Sequence, residues 1–300
     1  MRFHLFGKFL AQRNQQKVEG LEACKEQELL SYLLIHRNRP HPRETLASLL
    51  WSNTSTERSK KYLRQAIWRL VSALENDGLL QVEHDWVQLN VKGDFWADVA
   101  VFDQAFGAVQ GVAGAQLDSS TVELLKDAAA LYQGDLLEGW YQEWCLVERE
   151  RFQNMYLTML DKLLAHAIEH SDYEAGESYG TTILNYDRAS ELTYRRLMKL
   201  RYDAGDRTGA LRQYQRCVTA LREELGVKPE RRTQQLYERI KSDGMGRSQS
   251  AEDDTSDGGI QLPSVLRRLR RLHLVLTAAQ NRVQRDIAAV EQALKTKTLK

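Results

Sequence analysis

Between positions 58 and 69 the chain places five cations, Arg58, Lys60, Lys61, Arg64 and Arg69, with no acidic residue among them, and Gln65 and Trp68 lie in the same stretch. Leu63, Ile67 and Leu70 recur at helical spacing, so one side of this segment turns inward while Lys61, Arg64, Gln65 and Trp68 project from the other. Such a face neutralises phosphates and releases their counterions, and it offers Arg64 to guanine edges and Gln65 to adenine edges. Trp68 would pack against a sugar or a thymine methyl. The plainer alternative is a solvated basic helix whose tryptophan packs on its own protein.

A second pattern with chemical content is "HAIEH" at 166–170. It matches the H-x-x-E-H form in which two histidines one helical turn apart bind zinc and the glutamate acts as base. Both histidines, however, fall at the end of a helix beside a turn, with no third ligand placed downstream, so no metal site is expected. Neither a P-loop, nor G-x-S-x-G, nor a Rossmann glycine pattern occurs. The expectation is a protein with no catalytic residues and no cofactor, not an enzyme.

The elements that would carry the basic face can be read from local signals. Residues 2–20 alternate in short runs that predict antiparallel strands. Leu29, Leu30, Leu33 and Leu34 mark a first helix from about Lys25, ended by "NRPHP". A second helix is predicted over Arg43 to Leu50, closing on Trp51, and a third over Thr56 to Asn76, entered through the cap-rich turn "SNTSTERS". After "NDG", the segment "LLQVEHDWVQLNV" alternates as a hairpin with its tip near His84 and Asp85. Strands, three helices and a terminal hairpin within residues 1–95 are the parts of a winged helix, whose third helix enters the major groove. His84, at the tip, would reach an adjacent groove or backbone; a purely structural wing with Trp86 buried is the alternative, and Glu83 and Asp85 oppose contact with phosphate.

Residues 96–243 are helical in period. Segments 170–180 and 204–215 align at an offset of 34 residues, matching Asp172 with Asp206 and Leu163 with Leu197, which is the tetratricopeptide period. Tyr132, Trp140, Tyr141, Trp144, Phe152 and Tyr156 concentrate in this part and are expected to pack between helices. Residues 244–262 are rich in Gly, Ser and Asp and predict an acidic linker. Residues 263–300 predict a basic amphipathic helix with Val265, Leu269, Leu272, Leu276, Val283 and Val290 on a coiled-coil-like seam. Three uses of that helix stay open: self-association, docking of a regulatory protein, and attachment to a membrane surface or DNA phosphates. A helix that packs back on the repeats is the plain reading.

Charge follows the same divisions. The 300-residue chain has a formal net charge of +1, with 14 Lys+Arg against 12 Asp+Glu over residues 1–100, 19 against 27 over 101–262, and 9 against 2 over 263–300. An acidic middle part suits a domain that must not compete for DNA. Cys24, Cys145 and Cys217 have no paired spacing, so neither disulfides nor a cysteine zinc site is expected, and a reducing compartment fits. The start "MRFHLFGKFLAQR" is too short an apolar run for a signal peptide and no stretch approaches a membrane span, which points to the cytoplasm and no membrane.

"LYQGDLLEGWYQEWCLVERERF" (131–152) and "GDRTGALRQYQRCVTALREELGVKPERRTQQLYERI" (205–240) resemble the bacterial transcriptional activator domain. "HRNRPHPRETLASLLW" and "YLRQAIWRLVSAL" resemble the winged helix that precedes that domain in activators of the antibiotic regulatory protein (SARP) type. The resemblance covers about residues 2–241. It implies a mainly α fold: an N-terminal winged helix of the response-regulator type (α+β), then an all-α tetratricopeptide-like domain. It also implies binding to promoter direct repeats as a homo-oligomer, at least on DNA, and activation by contact with RNA polymerase. Lys61, Arg64, Gln65 and Trp68 then stand at the groove and Arg69 near phosphate. Two positions depart from the family pattern: Val71 and Ser72 stand where a pair of arginines is common. Larger relatives also carry an ATPase module whose place the linker and basic helix take here, so regulation by ATP is not implied.

The expectation is a sequence-specific regulator of double-stranded promoter DNA, with Arg58, Lys60, Lys61, Arg64, Gln65, Trp68, Arg69 and His84 as its DNA-binding residues. The rival is a non-catalytic scaffold whose repeats and final helix hold a signalling protein.

Overall fold

The computed structural model describes residues 1–75 and 78–249. In chain order the elements are β1 Arg2–His4, β2 Leu10–Arg13, β3 Gln16–Lys17, α1 Cys24–Ile35, β4 His41–Pro42, α2 Arg43–Leu50, α3 Thr56–Ala73, β5 Leu80–Val82, β6 Trp86–Leu89 and β7 Trp96–Ala97. Helices follow: α4 Asp98–Ala108, α5 Ser119–Leu131, α6 Glu143–Glu169, α7 Tyr173–Tyr186, α8 Glu191–Asp203, α9 Arg207–Leu225 and α10 Arg231–Gln249. The fold is mainly α, with a small N-terminal sheet region, as the sequence predicts. The expected final helix and its seam, Val265 to Val290, lie outside the described residues. The segment expected as linker from 244 begins as helix, since α10 runs to Gln249; once a helix is nucleated, each added residue closes a backbone bond of its own.

The N-terminal sheet runs β3-β2-β1-β7. β1 and β2 are antiparallel with Phe3 opposite Ala11, and the two-residue turn into β3 uses Asn14 and Gln15 at φ 50° and 68°, the left-handed pair that a tight hairpin demands. β7 joins the other edge, parallel to β1. The second sheet, β4-β6-β5, is the wing: Val82 faces Val87, and His41 pairs with Val87 from the other side. Under it α1 contributes Leu29, Leu30, Leu33 and Leu34, all fully buried, against Leu63, Ile67 and Leu70 of α3.

Packing is continuous across residue 95. Phe6 sits with ring centroids 5.0 Å from Phe102, 4.9 Å from Tyr132 and 5.5 Å from Phe152. The loop after α5 adds backbone ties, with Gly7 N–H donating to Asp135 O at 2.9 Å and Leu137 N–H to Leu5 O at 2.8 Å. Two charged side chains hold this junction. Buried Asp98, at the start of α4, accepts from the amides of Leu5 (2.6 Å), Phe6 (2.9 Å) and Val99 (2.7 Å). Arg149 of α6 donates to the carbonyls of Leu136, Leu137 and Trp140 at 2.8–2.9 Å.

Helical hairpins α6–α7 and α8–α9 realise the 34-residue offset atom by atom. Asp172 caps α7 through Ala175 N–H and Asp206 caps α9 through Gly209 N–H. The residue before each cap is left-handed, Ser171 at φ 57° and Gly205 at φ 87°, which closes the preceding helix. Leu163 and Leu197, also matched by the offset, are both buried. Of the six aromatics in this part, Tyr132, Trp144, Phe152 and Tyr156 are core residues, whereas Tyr141 is 80 % exposed.

Candidate nucleic-acid interface

α3 starts where Ser59 N–H bonds back to Ser55 O at 2.9 Å and carries its buried residues, Ser59, Leu63, Ala66, Ile67 and Leu70, along one side. That spacing leaves Arg58, Lys61, Arg64, Gln65 and Trp68 on a single outward stripe, three and four residues apart. All are exposed, Trp68 by 71 %. At 1.5 Å per residue the stripe is about 15 Å long, comparable to the roughly 12 Å width of a major groove. Among the described residues Arg58, Lys61 and Arg64 have no ion-pair partner, so their charges face solvent undiminished.

The remaining two cations differ from the expectation. Lys60 Nζ lies 2.5 Å from Glu44 of α2, on a solvent-exposed pair. Arg69 Nη1 donates to Glu26 Oε1 at 3.1 Å, and Glu26 is buried in α1. A buried carboxylate requires a partner, so Arg69 is partly committed to holding α3 on α1 before any phosphate arrives. Only the exposed side of its guanidinium remains available. Val71 and Ser72 are half-buried and exposed respectively.

His84 is at the wing tip, fully solvated, with Nδ1 2.5 Å from Asp85 Oδ1. The tip is held by α2: Arg43 N–H donates to Asp85 O at 2.9 Å and Arg43 Nη1 to Glu83 O at 3.1 Å. Arg43 is thus a wing anchor that no local pattern marked. Trp86 is half-buried beside the tip. His84 belongs to a separate element from the α3 stripe, and its acidic neighbours give this tip no net positive charge.

His166 and His170 stack on each other at the end of α6, centroids 4.0 Å apart, and His170 Nδ1 is bound to His166 O at 3.0 Å. Burial, then the charge of His170, lowers the His166 pKa. No group of three His, Cys, Asp or Glu side chains with metal-binding geometry occurs among the described residues. Burial pushes the thiols of Cys145 and Cys217 up to about 11 and about 12, so both stay protonated at neutral pH.

Residues 97–241 match the family model described as the bacterial transcriptional activator domain. No curated protein matches the chain. Among solved structures, the chain is similar to Mycobacterium tuberculosis EmbR in complex with low affinity phosphopeptide, with a TM-score of 0.61 and 20 % identity over 81 % of this chain. It spans 65 % of that chain's length. The family match begins in β7 and closes in α10. The chain therefore carries a bacterial transcriptional activator domain over residues 97–241.

Proposed function

We propose that this transcription regulator binds double-stranded promoter DNA sequence-specifically through α3 and acts as an activator that contacts RNA polymerase. The observation that supports the reading is the solvent-facing stripe Arg58, Lys61, Arg64, Gln65 and Trp68 on the third helix of a winged helix. Arg64 and Gln65 read base edges; Arg58 and Lys61 neutralise phosphates, with Lys60, the exposed side of Arg69 and His84 at the margin. Trp68 supplies apolar contact to sugar or a thymine methyl. The helical hairpins of residues 97–241 organise neighbouring protomers on direct repeats and present the polymerase-facing surface. Among the described residues no helix is long and apolar enough to cross a membrane, and the reading places the protein in the cytoplasm.

Selection from a random duplex pool with the full chain tests the proposal. Enrichment of a recurring motif, bound more weakly as salt is added, is the expected result. Absence of an enriched motif, or affinity indifferent to ionic strength, favours instead a scaffold that holds a protein. A chain ending at Gln249 should bind one repeat normally but occupy paired repeats less, through loss of self-association.

A further inference from the structure

A cleft of about 740 Å3 opens where α1, the turn between α2 and α3, and the first turns of α6 meet. Its size is that of sites which enclose small molecules. Three aromatic side chains wall it, Tyr32, Trp51 and Trp144, with Tyr32 and Trp144 in edge contact at 5.4 Å. Against one cation, Lys25, stand three carboxylates, Glu28, Glu143 and Glu148. Lys25 pairs with Glu28 and Arg151 with Glu148, which leaves Glu143 as the carboxylate without an ion pair among the described residues, in a lining otherwise aromatic; such a combination attracts cations through both charge and ring faces.

How the cleft treats an ammonium is visible on its own wall. Lys25 Nζ lies 2.7 Å from Glu28 Oε2, 2.5 Å from Leu50 O and 5.7 Å from the Trp51 ring centre. Glu28 is buried and accepts in addition from Trp144 Nε1–H at 3.1 Å. Two other polar groups are less committed. Glu143 has no ion pair among the described residues, and Gln142, which lines the cleft, has its buried Oε1 without a hydrogen-bond partner. Glu148 gives Oε2 to Arg151 at 2.6 Å and turns Oε1 toward His36, 3.7 Å away.

We propose that this cleft binds a small organic cation that joins an ammonium group to an aromatic or apolar body. The body lies against Trp51 and Trp144, and the ammonium meets Glu143. Ser52, Asn53 and Thr54 line the cleft immediately ahead of α3, and Gln142 to Glu148 open α6. A bound cation would therefore bridge the entry to the basic helix and the activator domain. The site stands independently of whether α3 binds DNA, and its test reads ligand binding alone.

Titration calorimetry of the full chain with tryptamine, and with indole-3-propionate as the same ring bearing a carboxylate, tests this. Tryptamine should bind saturably with a Kd of ~1 mM or tighter, and indole-3-propionate about tenfold more weakly or not at all. Glu143→Gln should weaken tryptamine about threefold. Val147→Arg, at an exposed position on the cleft wall, should weaken it about tenfold, with an unchanged circular dichroism spectrum. Equal binding of the two indoles, no saturable binding of tryptamine, or binding indifferent to Val147→Arg would each overturn the assignment.

Discussion

Lys61→Ala and Arg69→Ala remove the same charge from the same helix, yet the structure assigns them opposite effects. Lys61 faces solvent without an ion-pair partner among the described residues, so any phosphate it meets is neutralised by an otherwise idle charge. Each such contact steepens the dependence of log K on log salt by about 0.9 for duplex DNA. Lys61→Ala should therefore flatten the slope by about 0.9, which reduces the affinity lost between 50 and 200 mM salt by about 3.5-fold. Stability should barely change. Arg69 already pairs with buried Glu26 at 3.1 Å, and its removal strands that carboxylate. The loss is about 1–3 kcal/mol for a charge-assisted bond, toward the lower end because the arginine side chain is 58 % exposed and screened by water. Its salt slope should flatten by much less than 0.9. Fluorescence anisotropy on a selected duplex across a salt series, with urea unfolding of each variant, measures both quantities. Equal slope changes with equal stabilities would refute the division of roles between the two cations.

Arg149→Met should destabilise the chain by about 3 kcal/mol in urea unfolding, since three carbonyls at the junction lose a charged donor; a loss under ~0.5 kcal/mol would mean water replaces the guanidinium at no cost. The histidines near that junction predict a pH dependence. Burial, the first cause for both, lowers the pKa of His36 and His41 below 6.5, so the unfolded chain takes up protons that the folded chain resists. Stability should be fully present above pH 6.5 and fall as the pH drops below it, until the folded histidines titrate too. His36→Gln with His41→Gln should reduce that acid dependence, measured by thermal melts at stepped pH; an unchanged dependence would place its cause elsewhere.

Features set by neighbouring residues were legible in the sequence. Helix α2 occupies the predicted Arg43–Leu50, the hairpin tip falls at Glu83–Asp85, and Asp172 and Asp206 cap equivalent helices. Each rests on a proline, a turn residue or a cap within a few positions. The third helix was predicted to Asn76 and ends at Ala73; Leu74 is buried behind its end and Glu75 is left-handed at φ 53°, a tertiary preference with no local marker. Features that join distant positions were not legible. β7 pairs with β1 across 94 residues, and Phe6 bridges to Leu136, both fixed by packing alone. On the interface, helical period gave the outward stripe, but the engagement of Arg69 follows from Glu26 on another helix. An acid among the leucines of α1 was the available signal, because a charge on a buried face must find a counterion.

Base readout by α3 is tested most directly by comparing the motifs that wild type, Arg64→Ala and Gln65→Ala select from one random duplex pool. Each variant should still bind DNA but lose preference at its own base pair, by about 1–3 kcal/mol of discrimination. Identical motifs and affinities for all three proteins would contradict it.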